Sequence, residues 1–122
     1  MMAPIFQICA ASPAVTALLG TSPTRLYQFG EAPQNTPAPY AVWQRVGGLP
    51  VMFLGQLPDV DSYTLQIDVY APTPIVARNV AEALRDAIEP VAYIVGWGLE
   101  GRDQETRLHR IVFDVDWIVR RN

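Results

Sequence analysis

Residues Ser62–Ala71 read SYTLQIDVYA, an unbroken alternation. Tyr63, Leu65, Ile67, Val69 and Ala71 point one way, and Thr64, Gln66, Asp68 and Tyr70 point the other. That is the signature of a strand with one buried and one wetter face. Thr73-Pro74 follows at once, a capping hydroxyl ahead of a proline at the first helical position. Beyond it Val76, Val80, Leu84 and Ile88 recur every four residues, with Ala77, Ala81 and Ala87 beside them, up to about Glu89 and the stop at Pro90. A one-faced strand joined to a one-striped helix leaves few options. The helix must lie on the apolar face of a sheet.

The other segments fit around that unit. Pro4 to Leu19 reads helical, and Ser12-Pro13 divides it into two short helices, the second ending at Gly20. TRLYQFG (Thr24 to Gly30) reads as a strand and YAVWQRV (Tyr40 to Val46) as a second, with Tyr40, Val42, Gln44 and Val46 opposite Ala41, Trp43 and Arg45. The proline-rich segment Glu31–Pro39 between them is a stiff surface loop. VAYIVGW (Val91 to Trp97) and LHRIVFDVDWIV (Leu108 to Val119) supply two more strands. In the last of these Ile111, Phe113, Val115, Trp117 and Val119 share a face. The order ααβββαββ predicts one α+β two-layer domain over residues 1–122: an antiparallel or mixed sheet of about five strands with helices on one face. Arg78–Glu82 and Arg85–Glu89 are expected to pair along the main helix.

Composition narrows function mainly by exclusion. Charged residues make up 17% of the chain and the net charge is −3. All nine basic residues are Arg, and they form no tract, which argues against direct nucleic-acid binding. No segment approaches the length of a membrane span. The single cysteine, Cys9, allows no intrachain disulfide and no cysteine pair for a metal. The expectation is a soluble protein assembled in a reducing cytoplasm.

Few residue patterns suggest chemistry. Gly96, Gly98 and Gly101 form a literal G-x-G-x-x-G, but a strand rather than a helix follows, so the motif is expected to be a hairpin turn and not a phosphate loop. His109, the one histidine, begins a strand and has no nucleophile elbow to serve. Asp68, Asp114 and Asp116 fall on the wetter sheet face. They are read as solvated charges or as partners of Arg45 and Arg110. The alternatives are an acidic wall lining a lumen, or a hard-cation site of a small metal-dependent enzyme together with Asp59, Asp61 or Asp103. No catalytic residue, cofactor site or metal site is assigned. The stretch GGLPVMFLGQLPDVD (Gly47–Asp61) reads as a connection between strands, yet carries Leu49, Val51, Met52, Phe53, Leu54 and Leu57. An apolar run of that length outside the core suits an arm that docks on a neighbour. Its alternative is a loop folded onto its own core. Glu31, Gln34 and Asn35 of the proline-rich loop are further candidate contacts.

Five segments together resemble one family: SPAVTALLGTSPTRLYQFGEAPQ, PYAVWQRVGG, PDVDSYTLQIDVYAPT, VAEALRDAIE and RDQETRLHRIVFDVDW. They look like the tail-completion, or tail-terminator, proteins of long-tailed bacteriophages, in the same order over nearly the whole chain. The resemblance implies a small α+β structural subunit of a phage or prophage particle and no enzyme. It implies a hexameric ring at the head-proximal end of the tail tube, assembled in the host bacterial cytoplasm. The partners it implies are like subunits, the major tail tube protein and a head-completion connector. A neck or head-completion adaptor is the neighbouring alternative.

Overall fold

A computed structural model describes residues 3–51 and 60–120. The elements run α1 (Ile5–Ala10), α2 (Pro13–Leu19), β1 (Leu26–Gln28), β2 (Tyr40–Val51), β3 (Val60–Ala71), α3 (Pro74–Ile88), β4 (Tyr93–Arg102) and β5 (His109–Arg120). The strands form one five-stranded sheet in the order β1-β2-β3-β5-β4. Only β1 runs parallel to its neighbour; the other three pairings are antiparallel. This is the expected mixed α+β sheet.

The helices start where the sequence placed them. Ser12 accepts a hydrogen bond from Val15 N at 3.4 Å, and Thr73 Oγ1 accepts one from Val76 N at 3.2 Å. In both helices a proline occupies the first turn, where its missing N–H costs nothing. Gly20, at φ +82°, ends α2 in a conformation that side chains rarely adopt.

The apolar faces meet as expected. Leu65, Ile67, Val69 and Ala71 of β3 and Ile111, Phe113, Val115 and Trp117 of β5 are buried against Ala77, Val80, Ala81, Leu84 and Ile88 of α3. Ala41 and Trp43 of β2 extend that floor. Ile5, Cys9, Val15 and Leu19 from α1 and α2 complete the same cluster. Burying each large aliphatic side chain contributes about 1.5–3 kcal/mol.

Three expectations change. First, β2 does not stop at Val46. It continues through Gly47-Gly48 to Val51, paired with β3 as far as Val60. Val46 is the extra residue of a bulge between Arg45 and Gly47, so it leaves the face assigned to it and stands half exposed. Second, β4 runs on to Arg102, so the three glycines lie in a strand and not in a turn. The hairpin bends at residues 103–107 instead. There Asp103 accepts hydrogen bonds from Thr106 N at 2.8 Å and Thr106 Oγ1 at 2.7 Å, and Arg107 takes φ +62°. Third, Arg78 does not pair with Glu82. It reaches Glu100 of β4 at 3.2 Å, while Arg85 contacts Glu89 at 3.9 Å as expected.

Candidate functional site

The sheet face away from the helices carries Tyr40, Val42 and Gln44 on β2, then Thr64, Gln66, Asp68 and Tyr70 on β3. On β5 it carries Arg110, Val112, Asp114 and Asp116. No helix of the described residues covers it, yet Asp68 is 8% exposed. Its burial is compensated. Arg110 donates two hydrogen bonds to Asp68 Oδ2, at 2.6 and 3.1 Å, and Gln66 donates one to Oδ1 at 2.9 Å. This hydrogen-bonded partner holds the Arg110 guanidinium charged, above its already high ordinary value. The Tyr40 and Tyr70 rings stack at 5.1 Å, and Arg110 lies 5.9 Å over the Tyr70 ring. Partial burial, first of all, pushes both phenols upward.

The three acids therefore share a face, as expected, but do not act together. Asp68 is committed to Arg110. Asp116 accepts from Thr64 at 2.6 Å, and Asp114 forms no ion pair with a described residue. Asp103 is occupied in its own turn. No group of three or more His, Cys, Asp or Glu side chains among the described residues is placed to hold a metal ion. Arg45, the other expected ion-pair partner, instead lies 5.5 Å over the Tyr63 ring. His109 is half-buried at the start of β5.

The candidate contact residues fall in three places. Leu49 and Val51 belong to β2, opposite Ser62 and Val60. Met52, Phe53, Leu54 and Leu57 lie outside the described residues. Glu31, Gln34 and Asn35 are exposed on the proline-rich loop, which is shaped by a turn in which both the amide and the hydroxyl of Thr36 donate to Pro33 O. Asn35 sits at φ +64° in that turn. The loop is anchored from below: Arg25 donates to Pro39 O at 2.9 Å and to Leu18 O at 3.1 Å. Arg25 thus joins the end of the loop to α2.

The sequence marks β4 as a strand over Val91–Trp97 but not as the outer strand of the sheet. Tyr93, Val95, Trp97 and Leu99 of β4 are 70%, 57%, 50% and 59% exposed. Trp97 leans on Phe113 at 4.9 Å and forms part of a shallow groove between β4 and α3, rimmed by Arg78, Glu82 and Arg85. Scattered exposed apolar residues are ordinary, but a row of them on one edge strand marks a contact surface.

The family comparison decides what kind of protein presents these surfaces. The family model described as tail completion protein gp17 matches residues 3–120. The chain belongs to that tail completion family. It is thereby a structural protein of a phage-type tail. Among solved structures it is similar to a chain of the virion of a native gene transfer agent particle. The TM-score is 0.70 and the identity 18%, over 95% of this chain and 91% of that one. At that identity the likeness speaks for the fold. No curated protein sequence matches the chain.

Proposed function

We propose that this tail completion protein ends the growth of a tail tube. Copies of it cap the head-proximal end of the tube as a ring, the hexamer its family resemblance implies, and offer the surface to which a head-side connector joins. The match of a tail completion family over residues 3–120 carries this reading. The gene transfer agent neighbour, itself a virion chain, supports a place in the particle. The geometry suits a non-enzymatic subunit. The buried carboxylate Asp68 is held by Arg110, and a row of exposed apolar residues, Tyr93, Val95, Trp97 and Leu99, lies along an edge strand.

The residues proposed to meet neighbours are the arm at residues 52–59 with its flanking strand ends, and Glu31, Gln34 and Asn35 of the proline-rich loop. The face bearing Asp68, Asp114 and Asp116 is a candidate lumen wall. The deciding experiment deletes the gene from its phage or prophage and images the particles. Tube lengths are expected to become uncontrolled, with tails unjoined to heads. Labelled protein should mark the head-proximal end in the wild type. Absence from purified particles would overturn the proposal, and normal-length tails lacking only heads would favour a neck adaptor. A second arm uses Phe53→Asp, which should leave the fold intact and abolish incorporation. Unfolding would instead assign Phe53 to the core.

A further inference from the structure

Among the described residues the sheet ends in two open edges on opposite sides. One is β4, whose outer backbone groups face no strand of the sheet. The other is β2 beyond Trp43, because β1 covers β2 only along Ala41–Trp43. The free part of β2 runs from Gln44 to Val51, and β4 has 10 residues, so the two edges are of similar length. Natural edges are usually blunted with charge, above all Lys, or with proline. This chain has no Lys, and β4 holds no proline and puts Val95 and Leu99 in water. The register of β4 slips between Ile94 and Gly96 and again between Trp97 and Glu100. Such bulges blunt an edge by turning it away, but here they swing apolar side chains outward. A partner would therefore be held by side chains as well as by backbone bonds.

We infer that β4 of one copy docks antiparallel along Gln44–Leu49 of β2 of the next copy, stopping short of Pro50, which has no amide to donate to a further strand. The direction follows from topology. β2 and β5 run one way and β3 and β4 the other. A copy continuing the sheet in the same orientation thus brings β4 beside β2 antiparallel, the more stable pairing. The charges agree. The end of β4 carrying Glu100, Asp103 and Glu105 alongside Arg102 and Arg107, three acids against two bases with Glu100 also paired to Arg78, meets the end of β2 bearing Arg45. Arg45 is exposed and has no ion pair among the described residues. Exposed Val46 lies on the receiving edge, ready to cover Leu99. The occupant is a second copy because this one join uses up both edges of every subunit. Pairing β4 with β4 would close a dimer and leave each β2 edge open. The inference rests on the proposed ring only for what closes the chain of joins.

Two single variants test it, Val46→Cys and Leu99→Cys; the native Cys9 is buried and does not compete. Mixed at high concentration, or built together into particles, they should be linked by a short bis-maleimide into V46C–L99C dimers. Neither variant alone should link. Linking of Leu99→Cys to itself, or no linking in either setting, overturns the inference. The double variant V95K/L99K should keep the wild-type circular dichroism and melting temperature while losing at least tenfold in self-association. Unchanged self-association of this folded variant also overturns the inference. Failure of the terminator reading looks different: the wild-type chain is missing from particles, whatever the cross-linking in solution shows.

Discussion

Cys9 lies fully buried on α1, and burial pushes its thiol up to about 12. The folded state therefore holds the proton that the unfolded state releases from about pH 9. Stability is intact below that pH and falls as pH rises towards about 12, by up to about 1.4 kcal/mol per pH unit. Urea titrations from pH 8 to 11 should show this slope, and Cys9→Ala should flatten it. A smaller slope should survive from Tyr40 and Tyr70, whose phenols burial also raises. The glycines of β4 give a second residue-level test. A Cβ on Gly98 would stand 3.2 Å from Val112 O, whereas Gly96 and Gly101 face open space. Gly98→Ala should cost about 1–3 kcal/mol by overpacking, and Gly96→Ala should gain up to about 0.5 kcal/mol. Equal effects at both positions, read by denaturant midpoints, would contradict this account of the motif.

Helices and strands differed in how legible they were. Ser12-Pro13 and Thr73-Pro74 announced α2 and α3 because a capping oxygen and a fixed φ act within four residues. Thr73→Ala should therefore cost about 1 kcal/mol in thermal or urea unfolding, and Thr73→Ser almost nothing. Ser12, with its longer bond of 3.4 Å to a seven-residue helix, should matter less. Strand ends were less visible because the ladder decides them. Gly47, Gly48 and Pro50 all look like stops, yet pairing with β3 carries β2 through them. Pro50 is tolerated where β2 has no strand on its other side. The glycines of β4 misled in the same way, since β5 supplies the partner groups while bulges absorb the mismatch.

At the scale of the molecule, strand order is what local pattern does not encode. The polar face could be read from alternation alone, and so could a partner for Arg110. That Tyr93–Leu99 lies at an edge could not, because a strand apolar on both sides reads as a central one. The core tells a complementary story. Residues from Ala3 to Trp117 fall in one buried cluster to which all three helices contribute. Such a chain should unfold as one unit even though α1 and α2 precede the first strand. Calorimetry should give a single peak with an enthalpy of about 80 kcal/mol near 60 °C, equal to the van't Hoff value. Removing residues 1–23 would strip Ile5, Cys9, Val15 and Leu19 from that cluster and should unfold the remainder at 37 °C. A truncated chain that keeps a cooperative melt would mean the two N-terminal helices are an appendage, and that the sheet and α3 alone are the folding unit.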